Sequence, residues 1–80
     1  MLPINVPSDA SQKKVLRAFH KLGFEVLWSR RGKGSHRVVR DPKTNTEITV
    51  QYHIYKDIIR SYCKAVEVLG YDASEFARYL

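Results

Sequence analysis

The stretch VLRAFHKLGFEVLWSR, residues 15–30, decides the fold, because its apolar spacing changes from helical to strand-like at one glycine. Its first half carries apolar residues at intervals of three and four, which is the pattern of one helix face: Val15, Ala18, Phe19 and Leu22. Gly23 suits the left-handed position that ends a helix. Residues 24–30 then alternate apolar and polar side chains, with Leu27 as an apolar exception. The stretch therefore predicts an amphipathic helix followed by a half-buried strand.

Upstream of this helix, residues 1–7 contain two prolines and predict an extended lead-in. Ser8 or Asp9 is the expected N-cap, since either side chain can accept a hydrogen bond from the first helical turn. The outer face of the helix is basic, with cations at intervals of four: Lys13, Arg17 and Lys21.

Downstream, two glycines in residues 31–34 indicate a turn, and residues 35–40 a second strand. A loop at residues 41–45 leads to a third strand at 46–52, with Ile48, Val50 and Tyr52 expected on one face. Short connections of this kind favour an antiparallel meander.

The last part of the chain returns to helical spacing. A second helix begins at either Asp57 or Ser61 and ends at Gly70, and residues 72–75 carry the start signal of a short C-terminal helix. The 80 residues allow one domain, residues 1–80. The expected architecture is an α+β sandwich with the order helix, three-stranded antiparallel sheet, helix, which is also the order of double-stranded-RNA-binding domains.

The net charge of +6 is concentrated in one segment. Residues 13–40 contain nine Lys or Arg and one Glu, whereas residues 41–80 contain five basic and six acidic residues. This asymmetry favours nucleic acid as the partner over an acidic protein or an anionic membrane. One cysteine, no apolar stretch of membrane-spanning length and no secretory signal make the cytoplasm the expected location.

The chemistry is concentrated in RRGKGSHR, residues 30–37, which joins four cations, two glycines, a hydroxyl and an imidazole. His36 is the candidate catalyst, since an unperturbed imidazole exchanges protons near neutral pH. RNA cleavage needs a base for the ribose 2′-OH, cations for the phosphorane and an acid for the 5′-oxygen. The candidate RNA-contacting residues are those of this segment and of the first helix: Arg30, Arg31, Lys33, Gly34, Ser35, Arg37, Lys13, Arg17 and Lys21.

The same segment is also compatible with simpler roles. A basic, glycine-rich turn can bind RNA phosphates without cleaving them. By itself, His53 would be a loop histidine, and His20 a surface residue of the first helix. Three histidines so far apart, with one cysteine, do not have metal-site spacing, so no metal or other cofactor is expected.

Taken in order, several segments resemble the HicA family of toxin–antitoxin systems. The matching features are a helix that ends in Leu22-Gly23-Phe24, the Gly34-Ser35-His36 signature, the Val50-Gln51-Tyr52-His53 strand end and the closing segment 70–76. The resemblance extends from about residue 7 to residue 80. Two departures are Gln51, where the family usually has proline, and residues 60–62, which replace its Gly-Thr-Leu.

The resemblance implies a double-stranded-RNA-binding-like fold, metal-independent endoribonuclease activity on mRNA, and inhibition of translation and growth. It assigns catalysis to His36, a turn-shaping role to Gly34 and Ser35, and the position of the family's second histidine to His53. That His53 is a second candidate for proton transfer is our own hypothesis and is not implied by the resemblance. It implies a HicB-type antitoxin that covers the site, with the toxin a monomer alone and part of a hetero-oligomer with its antitoxin. The alternatives are a non-catalytic RNA-binding module and a basic patch that serves mainly to receive an acidic antitoxin surface.

Overall fold

The computed structural model describes residues 6–27 and 36–80, and its architecture is the expected α+β. The elements in chain order are β1 (Asp9–Ser11), α1 (Gln12–Leu22), β2 (Glu25–Leu27), β3 (Arg37–Arg40), β4 (Glu47–Val50), β5 (His53–Tyr55), α2 (Lys56–Val68) and α3 (Ala73–Arg78). None of the helices in the described part of the chain is long and apolar enough to cross a membrane.

The main sheet is the predicted antiparallel meander, with the order β2-β3-β4. Val39 of the central strand lies opposite Val26 on one side and Ile48 on the other. Because side chains alternate between the two faces of a strand, these three residues share the face that packs on the helices. The opposite face carries Glu25 and Arg40, which also lie opposite each other. The sheet therefore has one helix-covered face, as expected.

A second sheet, of two strands, was not predicted. β1 and β5 pair antiparallel, with Ala10 opposite Ile54. The expected N-caps Ser8 and Asp9 are wrong, because Asp9 lies in β1 and Ser8 precedes this strand. Ser11 is the N-cap of α1, and its hydroxyl accepts a hydrogen bond from the backbone N–H of Lys14 at 3.2 Å.

The third predicted strand is also shorter than expected. β4 ends at Val50, which is fully buried, and Tyr52 lies beyond the strand with 60% of its surface exposed. The expectation that Tyr52 shares the inner face with Ile48 and Val50 is therefore wrong. The chain bends at residues 51–52 and continues directly into β5.

The core is centred on Phe19 of α1. Its ring, which is fully buried, packs against three other rings with centroid distances of 4.7–5.6 Å: Phe24, Tyr62 and Phe76. Phe24 lies directly before β2, Tyr62 lies in α2 and Phe76 lies in α3. The aromatic cluster therefore connects all three helices to the sheet.

Both later helices have well-defined ends. α2 begins at Lys56, next to the candidate Asp57 and one turn before Ser61, and it is followed by Gly70 at φ 95°. Asp72 is the N-cap of α3, and its carboxylate accepts hydrogen bonds from the backbone N–H groups of Ser74 and Glu75. The short C-terminal helix is thus confirmed.

Asp41, at the start of the β3–β4 loop, is a fully buried carboxylate. It accepts hydrogen bonds from the Tyr71 hydroxyl at 2.6 Å, the Thr44 hydroxyl at 2.9 Å and the Lys43 backbone N–H at 3.1 Å. Burial raises the pKa of Asp41, but these donors outweigh it and hold the pKa below its ordinary value of 3.8. Burial and the neighbouring carboxylate raise the pKa of Tyr71 to about 12. Tyr71 is therefore a neutral donor that ties the α2–α3 connection to the hairpin loop.

We predict that Tyr71→Phe lowers the free energy of unfolding at pH 7 by about 1.5–3 kcal/mol, because a buried carboxylate loses its closest donor. The pKa of Asp41 is lower in the folded protein than in the unfolded chain. Its contribution is therefore complete above pH 3.8 and disappears as the pH falls through the folded pKa. Urea titrations of both proteins from neutral to acid pH measure this. A stability difference that does not shrink in acid would contradict the assignment.

Candidate nucleic-acid interface

Five of the predicted site residues lie outside the described residues: Arg30, Arg31, Lys33, Gly34 and Ser35. The structure describes the other candidates, namely the two histidines, Arg37 and the cations of the first helix.

His36 lies immediately before the central strand of the main sheet and is exposed. The next residue, Arg37, is half-buried and lies opposite Val50, the last residue of β4. His53 comes three residues after Val50. The strand register therefore brings both candidate histidines to the same end of the β3–β4 hairpin, although they are 17 positions apart in sequence.

His53 lies in β5, opposite Ser11, the N-cap of α1. It is exposed, as are its neighbours Tyr52 and Tyr55, and the Tyr52 ring meets the His53 ring edge-on with centroids 4.9 Å apart. His53 follows the third strand, as the sequence indicated. The interpretation of His53 as a loop residue is wrong, because it lies in the paired strand β5.

Two side chains from the helices hold the bend between β4 and β5. The Tyr62 hydroxyl donates to the Thr49 carbonyl at 2.9 Å and accepts a hydrogen bond from the Gln51 backbone N–H at 3.3 Å. Gln12 Nε2 donates to the Val50 carbonyl at 3.1 Å. The last two residues of β4 and the first residue of the bend are therefore fixed by α1 and α2. Burial raises the pKa of Tyr62, so this phenol keeps its proton at neutral pH.

The outer face of α1 borders an open depression of about 680 Å³ against β2. Lys13, Arg17 and His20 line it from the helix, and the start of β2 closes its other side. All three helix residues are exposed. Lys13 and Arg17 give this wall a positive charge that can attract a phosphodiester chain. Leu16, Phe24 and Val26 make the rest of the lining apolar.

Lys21, the third cation of the predicted stripe, lies apart from this wall. Its ammonium is 5.3 Å from the centroid of the Tyr79 ring, next to the C-terminal helix. An interval of four residues exceeds the 3.6-residue helical turn, so the stripe rotates around the helix as it advances. His20, by contrast, lies on the wall of the depression although the sequence indicated only a surface residue.

The one acidic residue of the basic segment is neutralised by a partner. Glu25 also lines the depression beside α1, and Arg40 binds its carboxylate through Nε at 2.9 Å and Nη2 at 2.8 Å. Both side chains are partly exposed, so the pair contributes little to stability. Its electrostatic effect is to reduce the repulsion that Glu25 would exert on an approaching anion.

A second open depression, of about 430 Å³, lies beside the aromatic residues. Tyr52 and His53 form one side of it, and residues 9–13 form the other. Lys13 lines both depressions, so the basic wall of α1 and the aromatic residues after β4 adjoin at this residue.

No cluster of His, Cys, Asp and Glu suited to a metal ion occurs in the described residues 6–27 and 36–80. Cys63 is buried in α2, and burial raises the pKa of its thiol. A thiol in that environment is a poor nucleophile. The chemistry of the described surface therefore rests on imidazoles, cations and aromatic rings.

Sequence reasoning missed the residues that organise this surface. Gln12 and Tyr62 contact the β4–β5 bend across long stretches of chain, and the three-residue strands are too short to show a period. Ser11 directly before the amphipathic stripe was the signal that could have identified the cap of α1.

Comparison with known proteins supports one family. The family model described as the HicA toxin of bacterial toxin–antitoxin systems matches residues 13–70. No curated protein and no solved structure gives a significant match to the chain. The matched segment runs from the basic face of α1 through both candidate histidines to the end of α2.

Tyr62→Phe should lower the free energy of unfolding by about 1–2 kcal/mol, because the Thr49 carbonyl and the Gln51 N–H both lose their partner. It should also shift the backbone amide resonances of residues 51–53. Urea unfolding and a proton–nitrogen correlation spectrum measure the two effects. The matched control is Tyr55→Phe, which removes an exposed hydroxyl and should change stability by less than about 0.5 kcal/mol. Equal effects of the two variants would contradict the role given to Tyr62.

Proposed function

The chain belongs to the HicA family of bacterial toxins, and we propose that it is a metal-independent endoribonuclease that cleaves mRNA. The observation that carries the proposal is the position of His36, exposed at the end of the central strand, within a chain that matches this family over residues 13–70. The toxin assignment rests on the family match. The reaction and its residues are the proposed part.

In the proposed reaction, a base removes the proton of a ribose 2′-OH, whose oxygen attacks the adjacent phosphorus. The bond to the 5′-oxygen breaks, and an acid protonates that oxygen as it leaves. The products are a 2′,3′-cyclic phosphate and a 5′-hydroxyl. No redox step or external nucleophile is needed, so two proton-transfer groups and a cation suffice.

His36 is the proposed proton-transfer group, since an imidazole can serve as base or acid near neutral pH. Arg37, the next residue, is proposed to stabilise the charge on the phosphorane, together with Arg30, Arg31 and Lys33. Gly34 and Ser35 are proposed to shape the turn that presents His36.

His53 is the proposed second proton-transfer group. The support is topological, because the pairing of Arg37 with Val50 brings residues 36 and 53 to one end of the hairpin. When the two proton transfers occur together, one imidazole cannot both take the proton of the 2′-OH and supply a proton to the 5′-oxygen. A second group at this end of the sheet would therefore complete the reaction.

Lys13 and Arg17 are proposed to bind the phosphates of the RNA on either side of the cleaved bond, and Lys21 to extend that contact. The same positive surface is proposed to receive a HicB-type antitoxin, which would then present acidic groups and block RNA by occupying its place. Cleavage of cytoplasmic mRNA would stop translation and growth until the antitoxin is present.

We predict that His36→Ala abolishes RNA cleavage in excess EDTA and relieves growth arrest, while circular dichroism shows an unchanged fold. Gel analysis of a labelled RNA is the measurement, with wild type cutting the same RNA in EDTA. His53→Ala should reduce the rate of RNA cleavage and alter one limb of the pH–rate profile of that cleavage. A His36→Ala protein that still cuts RNA would refute the catalytic assignment. Tight binding by wild type with no product would support the RNA-binding module instead.

We further predict that Lys13→Ala with Arg17→Ala weakens RNA binding about tenfold or more at low salt. The slope of the logarithm of affinity against the logarithm of salt concentration should fall by an amount that corresponds to up to two phosphate contacts. The matched control is Arg60→Ala with Lys64→Ala, which removes the same charge at the same spacing from exposed positions on α2. Fluorescence anisotropy across a salt series separates the two pairs. Equal losses for both would show that only net charge matters and that α1 is not the RNA-binding face.

A further inference from the structure

Three aromatic side chains beside the proposed site are exposed. Tyr52 has 60% and Tyr55 59% of its surface exposed, and His53 between them is also exposed. Among the described residues only one other large hydrophobic side chain, Val68 on α2, is similarly exposed. Single exposed tyrosines are common, but neighbouring exposed rings with apolar faces indicate a binding surface.

The exposure follows from the small sheet. Ile54 is buried and lies opposite Ala10, so this pair faces the core. Because side chains alternate along a strand, the residues on either side of Ile54 must point outward together. His53 and Tyr55 are therefore held on one face by backbone pairing and do not depend on the conformation of a loop.

Two of these rings lie nearly parallel. The planes of His53 and Tyr55 are inclined by only 17°, with centroids 6.4 Å apart. Nearly parallel rings on one face of a strand can each offer a face to a stacking base. Tyr52, edge-on to His53 at 84°, borders the same surface.

The charges around the rings are suited to a nucleic-acid strand. Lys13 lines both the depression beside Tyr52 and His53 and the basic depression beside α1. Lys13 can therefore bind a phosphate of a strand whose bases stack on the rings. Asp9 also lines the aromatic depression and opposes phosphate there. This side of the surface consequently favours bases over backbone.

We propose that Tyr52, His53 and Tyr55 form a stacking site for unpaired RNA bases, which makes the protein select single-stranded over duplex RNA. Bases within a duplex are already stacked and paired, so they can reach these rings only by leaving the helix. The inference rests on the proposed function for the identity of the substrate, and it adds the strandedness of that substrate. The selection is of interest because the fold is that of a duplex-RNA-binding domain.

The test measures binding separately from cleavage. A short fluorescein-labelled single-stranded RNA is titrated with the His36→Ala protein, with and without Tyr52→Leu and Tyr55→Leu together, and unlabelled duplex of the same length serves as competitor. We expect the leucine variant to bind the single strand at least about tenfold more weakly and to lose most of its preference over duplex. Leucine keeps apolar bulk, so only the ring is removed.

Two controls isolate stacking. Tyr52→Phe with Tyr55→Phe retains both rings and should bind within about twofold of the parent protein. Val68→Ala removes another exposed apolar side chain at the far end of α2, about 18 Å along the helix from β5, and should have no effect. Thermal unfolding establishes that each variant is folded.

The outcomes separate this inference from the proposed function. If wild type does not cut RNA but the leucine variant binds the single strand tenfold more weakly than its parent, the proposed function is wrong and the stacking site is supported. If wild type cuts RNA and the leucine variant keeps both KM and single-strand affinity, the stacking site is refuted and the function stands. Loss of antitoxin binding with unchanged RNA affinity would likewise refute it, since the rings would then dock protein.

Discussion

Phe19 contacts the rings of Phe24, Tyr62 and Phe76 at centroid distances of 4.7–5.6 Å. The first of these rings lies directly before β2, and the other two lie in α2 and α3. A chain of this size has little interior, so one fully buried ring with three ring partners accounts for much of its close packing. The helix that presents Phe19 to the core also presents Lys13 and Arg17 to solvent. The position of the basic face is thus fixed by the same packing that closes the fold.

The link from core to site passes through Tyr62. Its ring packs on Phe19, and its hydroxyl bonds two backbone groups of the segment that joins β4 to β5. Gln12, at the first turn of α1, bonds the carbonyl between them. The bend that places His53 and its aromatic neighbours is therefore not a free loop but a segment supported by two helices. Such support is what a binding surface needs in order to hold its geometry.

The strongly periodic parts of the sequence were sufficient to predict most of the fold. The stripe on α1, the glycine after it and the alternation in the three main strands all reflect burial, which repeats with the helix or strand period. β1 and β5 could not be predicted in this way, because three residues cover only one alternation and their pairing is set by tertiary contact. The burial of Asp41 could not be predicted either, since an Asp-Pro pair in a loop is normally exposed to solvent. The sequence was sufficient to identify the candidate residues of the site by their type. It could not show that residues 36 and 53 lie at the same end of the sheet, because that depends on the strand register.

We propose that the 2′-OH of RNA is the nucleophile of a metal-independent cleavage. The most direct measurement uses an RNA with one strong cleavage position, and the same RNA with a single 2′-deoxynucleotide 5′ to that bond, both incubated with the protein in excess EDTA. We expect cleavage at that position to disappear in the substituted RNA, and the parent RNA to yield a 2′,3′-cyclic phosphate and a 5′-hydroxyl. Cutting of the substituted bond, or a 5′-phosphate product, would show that water and not the ribose attacks the phosphorus, and attack by the 2′-OH would then be wrong.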